Sequence, residues 1–122
     1  MKLEVATDKP IFIQIAEAIE DAIVTGVFPE QSQIPSTTEI SVSYKINPAT
    51  VLKGMNILVD EGVIYKKRGL GMFVSSGAGE KIRYKRKNQF YEQYVDRMLS
   101  EARKLGLGKQ EIIAMIERGF GQ

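Results

Sequence analysis

Neither cysteine nor histidine occurs in the 122 residues. The side chains that most often serve as nucleophile, general base or transition-metal ligand are therefore missing. Most hydrolase and metalloenzyme chemistries are excluded with them, and no metal or cofactor is expected. What can still act on a partner is positive charge and hydrogen bonding. Lys66, Lys67 and Arg68 stand directly before Gly69-Leu70-Gly71, and Lys81, Arg83, Lys85, Arg86 and Lys87 form a second basic run. Upstream, Ser36, Thr37 and Thr38 follow Pro35, and Asn47, Pro48, Ala49 and Thr50 lead into Val51 and Lys53. Hydroxyl and amide groups at helix starts, combined with cations on a glycine turn, suit contact with phosphates and base edges.

The elements that must position these groups are legible from punctuation and periodicity. Asp8 is an N-cap candidate with Pro10 in the first turn. Ile11, Ile15, Ala18, Ile19, Ala22 and Ile23 then recur at helical spacing up to Gly26. Ser36 with Glu39 three residues on predicts a capping box and a short helix, to which Ile40 and Val42 bring apolar contacts. Tyr44-Lys45-Ile46 reads as a turn. Asn47 caps a second helix with Pro48 at its first position. Its inner stripe is Val51, Met55, Leu58 and Val59, with Leu52 at the margin. Its outer face shows Ala49, Thr50, Lys53, Asn56 and Asp60, and Gly62 ends it. Val63–Lys66 and Gly71–Val74 read as strands around a turn at Lys67–Leu70.

Helix, helix, three-residue turn, helix and hairpin make a winged helix-turn-helix, in which the start of helix 47–61 can enter a major groove and the basic tip reaches the neighbouring backbone. Ser36 and Asn47 are caps on this reading, and a phosphate can also meet free N–H groups at those helix starts. Gly69-Leu70-Gly71 by itself could suggest a nucleotide loop, but no third glycine and no helix follow.

Ser75–Gly79 is the one linker, which divides the chain into 1–76 and 77–122. The remainder reads as a short two-helix tail. Ile82, Phe90, Tyr94, Val95, Met98, Leu99, Ala102 and Leu105 form a stripe over roughly 25 residues, on the order of 38 Å. Gly106-Leu107-Gly108 closes it, and a last helix over about 109–118 carries Ile112, Ile113, Met115 and Ile116. Phe90, Tyr91, Tyr94, Val95, Met98, Leu99, Leu105, Ile112 and Ile116 are the expected dimerisation seam. The fold class is thus mostly α with a small β-hairpin.

Composition agrees. Hydrophobic residues are 43% and charged residues 26%, an ordinary globular balance. Net charge is +2. Residues 1–76 hold seven basic against nine acidic side chains and residues 77–122 ten against six, so local clusters carry the argument. No apolar run approaches the length of a membrane span, and Met1-Lys2-Leu3-Glu4 is followed by no apolar leader core. A cytoplasmic location is expected.

These residues together resemble the GntR family of bacterial transcription factors. Pro10-Ile11-Phe12-Ile13-Gln14-Ile15 is similar to the family's Pro-Leu-Tyr-x-Gln-Ile opening, and Ile34-Pro35-Ser36 to its Leu-Pro-Ser. Ile46–Val51 and Leu58–Tyr65 are similar to the recognition helix and its exit, and Arg68-Gly69-Leu70-Gly71-Met72-Phe73-Val74 to the wing. The Asn-Pro pair and the short tail resemble the YtrA-like subgroup, which implies dimerisation through two helices and no large effector domain. Three family positions differ. Thr38 stands where most members have Arg, Asn47-Pro48 replaces Ser-Arg, and Leu52 replaces a second Arg. The losses bear on the operator sequence and leave Thr50, Lys53 and the wing for binding.

The resemblance implies a homodimeric, sequence-specific regulator, a repressor, bound to an inverted repeat in double-stranded DNA. A winged helix used for protein–protein assembly is the alternative. No side-chain pair is tuned for catalysis, so the chain is read as no enzyme. Whether a small-molecule effector exists stays open.

Overall fold

The structure is a computed structural model that describes residues 3–4 and 7–121. The N-terminal segment read for a leader therefore lies partly outside the described residues, at Met1 and Lys2. The element order is α1 (Ile11–Val24), α2 (Thr37–Tyr44), α3 (Pro48–Asp60), β1 (Ile64–Lys67), β2 (Gly71–Val74), α4 (Ala78–Phe90), a π-helical turn (Tyr91–Val95), α5 (Asp96–Leu105) and α6 (Lys109–Phe120). Two compact units result, Met1–Tyr84 and Lys85–Gln122.

In the first unit the N-cap of α1 is Pro10, not Asp8. Pro10 has no side-chain cap, and its carbonyl accepts the N–H groups of Ile13 and Gln14 at 3.1 Å. Gln14 ties Glu4 and Lys9 to the start of α1. Its Nε2 donates to the carbonyls of Lys9 (2.9 Å) and Glu4 (2.7 Å), and its Oε1 accepts from the Glu4 N–H at 2.7 Å. Ile15, Ile19 and Ile23 are buried as their spacing requires, Ile11, Ala18 and Ala22 are half-buried, and Ala16 and Glu20, outside the expected stripe, are buried too.

The capping box forms as expected. Ser36 Oγ accepts from Glu39 N–H at 3.0 Å, and Glu39 Oε1 accepts from Ser36 N–H at 3.2 Å. Ile40 enters the core, whereas Val42 is exposed and makes none of the expected apolar contact, because α2 buries only one narrow side. The turn is Lys45-Ile46-Asn47. Lys45 has φ 54°, and the Ile46 N–H bonds back to Ser41 O at 3.1 Å. Ser41 Oγ donates to Ile46 O at 2.6 Å, holding the corner.

α3 packs Val51, Met55 and Leu58 into the core. The fourth inward position is Gly54 and not Val59, which stays exposed. A Cβ on Gly54 would lie 2.7 Å from the Phe12 carbonyl oxygen and 3.3 Å from the Ile15 side chain. The absence of a side chain is what lets α1 and α3 touch.

β1 starts one residue later than the sequence suggests. Val63 lies in the turn that closes α3, where its N–H donates to Leu58 O at 2.9 Å. The antiparallel register pairs Ile64 with Val74 and Lys67 with Gly71. Ala78 and Ile82 are fully buried in the core of the first unit. That unit thus runs past the Ser75–Gly79 segment, because the start of α4 closes its core.

The second unit has its own inner contacts. Ala102 and Ile112 are buried, and Leu99, Leu107 and Ile113 are half-buried. Gly106, with φ 70°, ends α5, and the Leu107 N–H returns to Ala102 O at 3.0 Å. The long helix read from the sequence is interrupted by the π turn, across which the Phe90 and Tyr94 rings meet at 5.2 Å. No helix among the described residues is long and apolar enough to cross a membrane.

Gly54→Ala tests the helix contact. Overpacking against a backbone atom costs about 1–3 kcal/mol, more than the ~1 kcal/mol gained in helix propensity. The expected outcome is a lower urea midpoint with an unchanged m-value.

Candidate nucleic-acid interface

The first unit brings together the start of α2, all of α3 and the β1–β2 hairpin. At α2 the box consumes the amides of Ser36 and Glu39, and Ile40 N–H bonds to Ser36 O at 3.0 Å. The N–H groups of Thr37 and Thr38 precede the first intrahelical bond and remain for an outside acceptor.

α3 is different. Pro48 has no N–H. Ala49 N–H donates to Asn47 Oδ1 at 2.8 Å, and those of Thr50 and Val51 donate to Asn47 O at 3.0 and 3.2 Å. The free N–H groups expected at both helix starts therefore exist at one of them. The proline and the asparagine cap use up the other set. What α3 offers is its exposed surface: Ala49, Leu52, Lys53 and Asn56, with Thr50 half-buried at the edge.

Lys53 does not extend freely. Its Nζ lies over the Phe12 ring, 4.1 Å from the centroid, so α1 fixes where this charge sits. Lys67 is held in the same way by Phe73, at 4.5 Å. Phe73 in turn stacks on Tyr65 with centroids 6.0 Å apart.

The hairpin tip is Lys66-Lys67-Arg68-Gly69-Leu70, exposed throughout. Leu70 N–H bonds to Lys67 O at 2.9 Å, and Gly69 sits third in that turn with φ 78°. That conformation favours glycine. Nothing lies within 4 Å of a Cβ placed there, so the backbone itself is accessible from outside.

The sequence reading missed the brace behind the wing. Residues 31–34 run beside β2: Ile34 N–H donates to Met72 O (3.0 Å), Val74 N–H to Ser32 O (3.0 Å) and Gln31 N–H to Val74 O (2.8 Å). Gln33 Nε2 donates to Leu70 O at 2.7 Å, and Tyr65 Oη donates to Gln31 Oε1 at 2.5 Å. The segment Gln31-Ser32-Gln33 shows no alternation, so no local signal marks it.

The second basic run is partly spoken for. Lys81 Nζ donates to Gly62 O at 3.2 Å, beyond the end of α3, and Arg83 donates to Val24 O at 3.4 Å, at the end of α1. Cations at helix C-termini satisfy orphan carbonyls and suit the helix dipole. These two residues serve the fold. Among the described residues, no cluster of acidic side chains could hold a metal ion.

Comparison with known proteins agrees with this geometry. Residues 13–74 match the family described as bacterial regulatory proteins, gntR family. The chain is 26% identical to the HTH-type transcriptional regulator YhcF of Bacillus subtilis over 111 residues, 91% of this chain and 90% of that one. Several other curated relatives match over 66 to 71 residues, and the match spans less than a third of their length.

A GntR-family regulator from Bacteroides thetaiotaomicron is similar in structure, with a TM-score of 0.80 and 37% identity over 91% of this chain and 96% of that one. YtrA from Sulfolobus acidocaldarius, a GntR-family transcription factor, gives a TM-score of 0.60 and 27% identity over 99% and 97%. The DNA-binding domain of AraR, solved in complex with an operator, gives 0.55 and 25% over 62% and 93%.

Asn47→Ala removes the cap on α3 and should cost about 1 kcal/mol of stability. Asn47→Asp retains a side-chain acceptor and should stay within a few tenths of the parent. Urea unfolding of both variants decides whether the asparagine acts as a cap.

A capped helix-turn-helix, a braced basic wing and a match over residues 13–74 lead to one assignment: the chain belongs to the GntR family of bacterial regulatory proteins and is a transcriptional regulator with a DNA-binding winged helix-turn-helix.

Proposed function

We propose that the chain is a cytoplasmic repressor that binds an inverted-repeat operator in double-stranded DNA as a homodimer. The observation that carries this reading is the split of surface character between the units. The first presents a recognition helix beside a cationic glycine turn. The second presents a strip of large apolar side chains that the single chain leaves exposed. Phe90 is 59% exposed, Tyr94 61% and Leu105 66%, and Tyr91, Met98 and Ile116 are also exposed. Exposed aromatic and aliphatic groups at helical spacing mark an interaction face. Of the expected seam, Val95 and Leu99 are half-buried. Ile112 is buried within the tail and serves its inner packing.

In this reading α3 lies in the major groove. Ala49, Thr50 and Lys53 meet bases and backbone, and Ser36, Thr37 and Thr38 meet a phosphate through the free amides of α2. Asn47 and Pro48 shape the entry to α3. Lys66, Lys67 and Arg68 meet the flanking backbone, which the positions of Gly69 and Gly71 let come close. The DNA-binding domain of AraR was solved in complex with an operator, which supports DNA as the partner. A two-fold dimer sets the recognition helices one DNA turn or a multiple apart, roughly 34–36 Å per turn. The tail has an open depression of about 400 Å³ beside Gln93, Tyr94, Arg97, Met98 and Glu101. We read occupancy as set by protein level, without a bound effector.

Replacing Lys66, Lys67 and Arg68 together by Ala should weaken binding to a duplex carrying the promoter of its own gene. The slope of log affinity against log salt should become shallower by about 2–3 units, as roughly 0.9 is lost per phosphate contact. An unchanged slope would favour the protein-assembly reading of the wing.

Tyr94→Glu combined with Leu105→Glu should turn a dimer into a monomer in sedimentation at micromolar concentration, with helicity retained. A wild-type chain that sediments as a monomer there would refute the dimer.

A further inference from the structure

The outer face of α3 carries a stripe whose chemistry differs from that of the wing. Ala49, Leu52 and Asn56 recur at three- and four-residue spacing, so they share one side of the helix. All three are exposed, and Leu52, an apolar side chain, is 49% exposed. The Asn56 amide has no hydrogen-bond partner among the described residues, in contrast to Asn47, which is committed to its cap. The only cation on α3 is Lys53. Its ammonium is drawn over the Phe12 ring on α1, at 4.1 Å, and so is anchored at the α1 side of the stripe.

Base pairs in the major groove differ in what they ask of a side chain. Guanine is read by a bidentate Arg or Lys on O6 and N7. Thymine offers a methyl group to an apolar side chain, and adenine offers N6 and N7 to a bidentate Asn. The stripe has no arginine, an anchored lysine beside it, one exposed leucine and one unengaged asparagine. Leu52 and Asn56 are four residues apart, about 6 Å along the axis, so they reach neighbouring or next-but-one base pairs.

We infer that this stripe reads A·T pairs: Leu52 packs on a thymine 5-methyl, Ala49 leaves room for that approach, and Asn56 takes the adenine edge. The inference rests on the DNA-binding reading above and adds the class of base that α3 recognises.

The test uses the full chain and a pool of duplexes with a randomised centre. After selection and sequencing, the enriched duplex is synthesised with deoxyuridine replacing thymidine one position at a time. Wild type should lose about fourfold in affinity at one position of each half-site, the loss expected for one buried methyl. Leu52→Ala should bind the thymine and uracil duplexes equally, and Asn56→Ala should lose the preference for one adenine. Both residues are exposed, so both variants should melt close to wild type, which removes misfolding as an explanation.

Equal wild-type binding to thymine and uracil at every position would overturn the inference. So would selection of the same motif by Leu52→Ala and wild type. Bound duplexes with no enriched motif would also overturn it while leaving DNA binding intact. If the chain binds no duplex at any salt, the DNA-binding reading fails as well.

Discussion

Gly54 sets how closely α3 can lie on α1, and the remainder of the first unit follows from that distance. With no Cβ in the way, the Phe12 backbone and the Ile15 side chain sit directly on α3. This contact turns Val51, Met55 and Leu58 inward, where they are fully buried. It turns Ala49, Leu52, Lys53 and Asn56 outward. It also brings the Phe12 ring under the Lys53 ammonium. One packing constraint therefore decides both what holds the helix and what the helix can offer a partner.

Around that contact the chain uses side chains to end its helices on schedule. Ser36 and Asn47 open α2 and α3, and Lys45 closes α2 in a left-handed turn. The cost of that conformation for a non-glycine residue is about 1–2 kcal/mol. The Ile46 N–H bond to Ser41 O and the Ser41 hydroxyl bond to Ile46 O offset it. The result is a corner with little freedom, which is what a helix needs if it is to enter a groove at a set angle.

The wing and the start of α4 are supported by non-local contacts. A two-stranded hairpin is marginal by itself. Here residues 31–34 add hydrogen bonds along β2, and Gln33 holds the carbonyl of Leu70 at the tip. Gly71, with φ 124°, leaves the space that the Gln33 amide fills. Ile82 seals the core from the other direction, while Lys81 and Arg83 satisfy carbonyls just beyond α3 and at the end of α1. A basic run that looks like a nucleic-acid surface in the sequence thus partly serves helix ends.

The sequence by itself determined the order of elements, the capping box at Ser36, the asparagine cap with Pro48, the three-residue turn and the hairpin. These depend on residues within a few positions of one another, where cap chemistry, proline geometry and periodicity act directly. It also determined the candidate contact groups on α3 and the wing, since their spacing places them on one helix or one turn. Tertiary structure decided the rest. Val59 and Val42 have core-like side chains yet face outward, because Gly54 on α3 and Ile40 on α2 lie toward the neighbouring helices. Asp8 gives way to Pro10 because Gln14 ties back the arm from ten residues further along than Glu4. The brace at residues 31–34 and the placing of Ala78 and Ile82 in the first core join parts of the chain far apart in sequence. Such contacts are set by which surfaces meet, and no local pattern of side chains records that.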